Sequence, residues 1–124
     1  MSLFKDKVLS VCSKIPTGKV MSYGQVATIV GVPRAAIQVG WILHEFGDTV
    51  CWWRIINHKG FISTKCPEHT PLLQKSLLEK EGIVVSKKMR IDIAKYRYLP
   101  SEKELNEFGL SPDYIEMIVE KYLL

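Results

Sequence analysis

Two short helical segments joined by a tight turn constrain this chain more than any other feature of its sequence. Ser22 stands where its hydroxyl can cap a helix, and Gln25, three residues later, completes the pattern of a capping box. Gly31 can take the left-handed conformation that ends this helix, and Pro33 suits the first turn of the next one. Helices joined in this way predict a helix-turn-helix. Its second helix would carry Ala36, Val39, Gly40, Ile42 and Leu43.

Further helices are predicted on both sides of this motif. The spacing of apolar residues predicts one helix over 3–15 and another over 71–81, which Gly82 would end. Beyond Pro100, Ser101 and Ser111 each stand at the start of a helical pattern and predict two more helices.

Extended structure is expected in fewer places. A β-branched and aromatic run over 49–56, a turn over 57–60 and the segment 61–63 predict either a small β-hairpin or an extended loop. Residues 83–85 and 91–98 are also predicted to be extended. The expected fold is therefore a mainly α member of the α/β class, a winged-helix-like helix-turn-helix domain with a small β-hairpin and a C-terminal helical appendage.

Charge divides the chain into two parts. Residues 1–100 contain 15 basic and 7 acidic residues, whereas residues 101–124 contain two lysines and six acidic residues. A basic body favours a polyanionic partner, nucleic acid first, because neutralising phosphates releases counterions. We therefore expect a DNA-binding domain over 1–100 and an acidic helical extension over 101–124. Three roles remain open for the extension: docking a protein, folding over the basic face as a mimic of DNA, and completing the core.

The sequence also excludes several classes of protein. No apolar run approaches the roughly 18 residues that a membrane span needs, so no membrane partner is expected. The first residues lack the pattern of a signal or transit peptide, and three cysteines are too few for a disulfide framework. These features predict a monomer in the cytoplasm, at the nucleoid, or in the nucleus of a eukaryote.

A resemblance to a known family is carried by a specific order of residues between 15 and 82. The matching segments are Ile15-Pro16-x-Gly18-x-Val20, Tyr23-Gly24-Gln25-Val26-Ala27, Pro33, Val39-Gly40, Trp52-x-Arg54-Ile55-Ile56-Asn57 and Glu81-Gly82. Over residues 1–100 the chain resembles the DNA-binding, active-site domain of O6-alkylguanine-DNA alkyltransferases, and more closely their alkyltransferase-like relatives. The reactive motif of the active enzymes, Pro-Cys-His-Arg, aligns here with Cys51, Trp52, Trp53 and Arg54.

This alignment implies a protein that is not an enzyme. Accepting an alkyl group from guanine O6 needs a thiolate and a neighbouring base, and neither Trp52 nor Trp53 supplies one, although Glu81 remains. The resemblance implies instead that the chain binds O6-alkylguanine in double-stranded DNA without removing the alkyl group and without a cofactor.

The resemblance also assigns residues to the DNA interface. The family counterpart of Tyr23 presses on the phosphate beside the target nucleotide and helps to rotate that nucleotide outward. Ile37 takes the place of the family's intercalating arginine, and Arg34 opens the recognition helix, where phosphates bind readily. Gly40 permits either a close approach to DNA or simple helix packing. The complete expected set is Tyr23, Gln25, Arg34, Ala36, Ile37 and Gly40.

A second set is expected around the extruded base. Trp52 would pack against the base or its alkyl chain, and Arg54 and Asn57 admit a wholly structural reading. The expected pocket residues are Trp52, Trp53, Arg54, Ser63 and Glu81. Cys66 and His69 are too few for a zinc site, so no metal is expected.

The resulting hypothesis is a lesion sensor that flips O6-alkylguanine out of the duplex. By the same resemblance, the complex would direct the lesion to nucleotide excision repair or shield it from alkyltransferases. Two alternatives stay open: residual alkyl transfer through Cys51, and a helix-turn-helix regulator that is indifferent to lesions.

Overall fold

The computed structural model describes residues 3–123, with side chains as far as Tyr122. Helices make up most of this part of the chain, which also contains two short strands and two short 3₁₀ turns. The helices are α1 (Leu3–Ser13), α2 (Tyr23–Ile29), α3 (Ala36–Phe46), α4 (Pro71–Lys80), α5 (Ile93–Tyr96), α6 (Glu102–Glu107) and α7 (Pro112–Leu123). The strands are β1 (Met21–Ser22) and β2 (Ile55–Ile56), and the 3₁₀ turns are Gly47–Thr49 and Trp52–Arg54.

Helices α2 and α3 form the predicted helix-turn-helix. The Ser22 hydroxyl accepts a hydrogen bond from the Gln25 backbone N–H at 3.0 Å, and Gly31 ends the first helix with a φ of 91°. Helix α3 begins at Ala36, three residues later than Pro33, because the Ala35 N–H bonds to the Val32 carbonyl and closes a turn. Arg34 therefore lies in this turn rather than in the helix.

The second half of the expected capping box is absent. The Gln25 side chain does not return to Ser22. It donates to the Tyr98 carbonyl at 2.6 Å and accepts from the Arg97 guanidinium at 2.8 Å. Gln25 is completely buried. Its assignment to DNA contact is therefore corrected: the residue ties α2 to the chain that precedes the C-terminal helices.

The expected hairpin is replaced by a parallel pair. Strand β2 pairs with β1, with Met21 opposite Ile55 and Ser22 opposite Ile56. Ile55 and Ile56 are both buried, as in a strand covered on its two faces, so the alternation that would favour a half-exposed hairpin is missing. The turn at 57–60 does form, closed by a 2.9 Å bond from the Gly60 N–H to the Asn57 carbonyl.

Two other segments that were predicted to be extended also differ from the prediction. Residues 83–85 join no strand, although Ile83 and Val85 are buried in an apolar cluster with Leu78. Residues 93–96 form the short helix α5, which the Asp92 side chain caps.

The C-terminal helices complete the main core. Leu105, Ile115 and Ile118 are at most 5% exposed and belong to one apolar cluster with residues of α1, α2 and α3. The Tyr114 hydroxyl also donates to the Thr28 carbonyl in α2. Of the three roles considered for this segment, completion of the core is the one that the packing shows. The side chain of Leu123, also expected to pack, lies outside the described residues.

No helix within residues 3–123 combines the length and the apolar character that crossing a bilayer requires.

Candidate nucleic-acid interface and base pocket

A cleft of about 670 Å³ lies beside the recognition helix α3. Its lining includes Tyr23, Ile37 and Gly40 from the helix-turn-helix, and Trp52 from the second 3₁₀ turn. The loop 63–69 supplies further lining residues, among them Ser63. The structure thus brings three of the expected DNA-contact residues together with two of the expected pocket residues.

Trp52 is held in this cleft by an aromatic stack. Its ring lies 4.2 Å from that of His69, with 20° between the ring planes, and His69 Nε2 lies 2.8 Å from Asp48 Oδ1. Gly47 permits this packing: a Cβ there would stand 3.1 Å from Trp52 Cβ and 3.3 Å from His69 Cε1. Sequence reasoning missed the role of His69, because an irregular loop offers no periodicity that would reveal which way a side chain points.

The two residues weighed as zinc ligands have separate partners. Cys66 Sγ lies 2.8 Å from His44 Nδ1, at the edge of the same cleft, whereas His69 binds Asp48. Within residues 3–122, no group of three or more histidine, cysteine or acidic side chains is placed to hold a metal ion.

Trp53, Arg54 and Glu81 form a partly buried network that does not line the cleft. The Arg54 guanidinium donates to Glu81 at 2.8 Å and to the Ile15 carbonyl at 2.7 Å, and the Trp53 indole N–H donates to Glu81 at 2.6 Å. The assignment of these three residues to the base pocket is corrected by this arrangement. In a 3₁₀ turn successive side chains point about a third of a revolution apart, so Trp52 and its two neighbours face different ways.

The network also keeps the Glu81 carboxyl ionised. Partial desolvation raises the pKa of this carboxyl, but hydrogen bonds from Arg54, the Gly18 N–H and Trp53, with the charge of Arg54, outweigh that effect and lower the pKa below its ordinary value. Glu81 is therefore an ionised structural partner of Arg54 at neutral pH.

The other cysteines lie away from the cleft. Cys51 Sγ is 3.1 Å from Arg54 Nη1, and Cys51 is not among the residues that line the cleft. Cys12 is buried in the core, and this desolvation, together with nearby Cys51, raises its pKa to about 12.

The remaining expected DNA-contact residues surround the cleft. Ile37 is 67% exposed at the start of α3, and Arg34 is exposed in the preceding turn. Ala36 and Ile37 share a second, smaller depression with Tyr23 and the turn residue His58. Burial, and secondarily Cys12, raises the pKa of Tyr23, so its hydroxyl stays protonated at neutral pH. Trp41, which no prediction used, also lines the cleft and is 64% exposed.

Comparison with known families agrees with this geometry. The family described as 6-O-methylguanine DNA methyltransferase, DNA binding domain, matches residues 3–83. The chain belongs to this family. This match confirms the resemblance drawn from the sequence motifs.

Its relatives in the family carry names that are more specific. The chain is 39% identical to the DNA base-flipping protein of Escherichia coli K12 over 97 residues, which are 77% of this chain and 74% of that protein. It is 35% identical to alkyltransferase-like protein 1 of Schizosaccharomyces pombe over 106 residues, 81% of this chain and 98% of that protein. The crystal structure of S. pombe Atl1 in complex with damaged DNA containing O6-carboxymethylguanine matches with a TM-score of 0.74 and 33% identity, over 81% of this chain and 98% of that one.

Proposed function

We propose that this protein recognises O6-alkylguanine in double-stranded DNA, flips the damaged nucleotide into the cleft beside Trp52 and leaves the alkyl group in place. The observation that carries the proposal is the position of Trp52. By the resemblance this residue stands where the family has its nucleophile, and it lines a cleft shared with the recognition helix.

The size and lining of the cleft support binding of a base. Its volume of about 670 Å³ falls within the range of small-ligand pockets. An extruded base is held by stacking against aromatic or apolar walls and by hydrogen bonds to its edges. Trp52 supplies the aromatic wall, and the loop around Ser63 supplies polar groups.

Tyr23 and Ile37 are placed to act on the duplex. Tyr23 is the first residue of α2 and lines both the cleft and the neighbouring depression, so it lies between the two. Ile37 projects from the first turn of α3 and can fill the gap that an extruded nucleotide leaves, as apolar wedges do in the minor groove. Arg34 and the basic body supply attraction to phosphates.

The relative solved with damaged DNA supports the choice of ligand. That protein is similar to this chain over almost its whole length, and its complex contains O6-carboxymethylguanine. The bound complex here would present the lesion to nucleotide excision repair, in whichever compartment holds the DNA, the nucleoid or the nucleus.

A single contact favours a rival function. The thiol of Cys66 lies 2.8 Å from the imidazole of His44 at the cleft edge, and an adjacent imidazole can accept a thiol proton. Alkyl transfer to Cys66 is therefore the second candidate, ahead of transfer to Cys51, whose sulfur contacts Arg54. A methyl-sized gain in the mass of the Cys66 peptide would favour it.

Nucleotide flipping can be tested directly with a fluorescent base analogue placed next to the lesion. Its emission rises when its stacking neighbour leaves the helix. We expect a rise with the wild-type protein on the damaged duplex, a smaller rise with Tyr23→Ala and none on the undamaged duplex. Tight binding to the damaged duplex without any rise would contradict flipping.

A further inference from the structure

Two distant segments form an antiparallel ribbon that the proposed function leaves unused. Phe61 pairs with Arg90, the Ile62 N–H donates to the Met89 carbonyl at 2.9 Å, and the Ile91 N–H donates to the Gly60 carbonyl at 2.9 Å. We call residues 57–62 and 86–91 together the wing.

The tip of the wing is a closed turn with two lysines at its corners. The Ser86 N–H donates to the Arg90 carbonyl at 2.8 Å, and the Met89 N–H donates to the Ser86 carbonyl at 3.0 Å. Met89 has a φ of 61°, the only positive value for a residue other than glycine within the described range. Lys87 and Lys88, between these anchors, are exposed. The closed turn therefore presents two adjacent lysines at one place on the surface.

Positive charge gathers on the wing, where the carboxylate of Asp92 shares a depression with Lys88 and Arg90. Lys59 and Arg90 add to the two lysines, and no carboxylate forms an ion pair with any of the four in that part. The Arg90 guanidinium instead donates to the Lys59 carbonyl and lies 5.3 Å from the centre of the Phe61 ring. A concentration of unpaired cations of this kind attracts polyanions.

The wing is continuous with the candidate DNA interface. Asn57 and His58, at one end of the wing, line the depression that also contains Tyr23, Ala36 and Ile37. Gly60 keeps the two strands in contact, since a Cβ there would collide with the Ile91 carbonyl oxygen. The ribbon that carries the basic turn therefore adjoins the start of the recognition helix through Asn57 and His58.

We propose that Lys87 and Lys88 bind backbone phosphates of the duplex beyond the flipped nucleotide, so that the wing extends the interface formed by α3. The inference rests on the proposed function for the choice of duplex DNA as the partner. Phosphate contacts position a protein and carry no base information, so the wing contributes affinity without contributing preference for the lesion.

The salt dependence of binding tests this proposal. Each phosphate contact that is lost reduces the slope of log affinity against log salt concentration by about 0.9. We expect K87A/K88A to reduce this slope by about one to two relative to wild type, by the same amount on damaged and undamaged duplexes. The ratio of affinities for the two duplexes should not change.

Two control variants separate contact from net charge. K103A/K121A removes two exposed lysines from the C-terminal helices and should leave the slope close to that of wild type. K87R/K88R keeps the charge and should retain the wild-type slope. A K87A/K88A slope equal to that of wild type or of K103A/K121A would overturn the proposal. If wild type showed no preference for damaged DNA, the proposed function would fail, and the slopes on undamaged DNA would still decide the role of the wing.

Discussion

The indole of Trp52 stacks on the imidazole of His69, with the ring centres 4.2 Å apart and the planes 20° apart. This contact fixes Trp52 in the wall of the cleft. His69 is 5% exposed and bonds to Asp48, and Gly47 packs closely against both Trp52 and His69. These contacts fix the position of the stacked rings. A fixed ring offers a base a surface that needs no ordering when it binds.

Replacing His69 by alanine removes this support. We expect the free energy of unfolding to fall by about 1–2 kcal/mol, because the aromatic stack and its packing are lost. The preference for damaged over undamaged duplex should also fall, since the Trp52 ring becomes mobile. Chemical denaturation and a binding titration measure the two effects. His69→Phe keeps an aromatic ring and should keep more of the preference, and an undiminished preference in His69→Ala would show that the stack has no part in recognition.

Glu81 is predicted to matter for stability and not for binding the lesion. Arg54 and Glu81 are each 10% exposed, and removing one partner leaves the other charge buried. We expect Glu81→Ala to lower the free energy of unfolding by about 3 kcal/mol. The exposed neighbour Glu79 provides a matched control, and Glu79→Ala should change stability by less than about 0.5 kcal/mol. Equal stability of the two variants would contradict the structural role of the ion pair.

The Glu81 carboxyl should make the free energy of unfolding depend on pH. The pKa of Glu81 is lowered in the folded state, so its stabilising contribution is complete above the ordinary value of 4.5 and is lost as the pH falls through the folded-state pKa. The stability difference between wild type and Glu81→Gln should therefore narrow as the pH falls below this value. Glu104, whose pKa is also lowered, is present in both proteins and cancels in the comparison. A difference that stays constant down to pH 3 would contradict the ion pair.

Gly40 allows DNA approach to be separated from helix packing. A Cβ at this position would meet only the Tyr23 ring, at an ordinary contact distance of 3.9 Å. Gly40→Ala should therefore raise the free energy of unfolding by up to about 1 kcal/mol, the difference in helix propensity. If DNA lies against this part of α3, affinity for DNA should fall even though stability rises. Unchanged affinity would remove Gly40 from the interface.

A substitution at Ile37 tests whether the exposed side chain at the start of α3 contacts DNA. Ile37→Arg introduces a positive charge at a position that is already 67% exposed. We expect tighter binding to DNA and a salt slope steeper by about 0.9 if the new guanidinium reaches a phosphate. Leu72→Arg adds the same charge on α4, at a residue 73% exposed, and should leave binding nearly unchanged. Equal effects of the two substitutions would indicate net charge rather than contact.

The local signals in the sequence predicted the helices well. The cap at Ser22, the φ of Gly31 and the capping box at Ser101 all depend on residues within one or two turns of each other, and all three are present. Pairing across long sequence distances could not be predicted in the same way. Strand β2 finds its partner at Met21 and Ser22, and Phe61 finds Arg90, because the core brings these segments together.

The sequence predicted only part of the candidate site, because the rest depends on turn geometry and on contacts between distant residues. Tyr23, Ile37, Gly40, Trp52 and Ser63 do meet around one cleft. Trp53 and Arg54 were grouped with Trp52 by adjacency, but the 3₁₀ turn directs them toward Glu81 instead. The contacts of His69 and His44 could not be predicted, since their partners Trp52 and Cys66 lie 17 and 22 residues away.

The most direct test of the central claim is a fluorescence-anisotropy titration with matched duplexes that contain guanine or O6-methylguanine at one position, at a fixed and stated salt concentration. The mass of the intact protein and of its cysteine peptides is recorded afterwards. We expect the damaged duplex to bind at least tenfold more tightly, a difference of about 1.4 kcal/mol, with no change in protein mass. Equal binding to the two duplexes would contradict lesion recognition, and a methyl-sized mass gain on Cys66 or Cys51 would contradict binding without transfer.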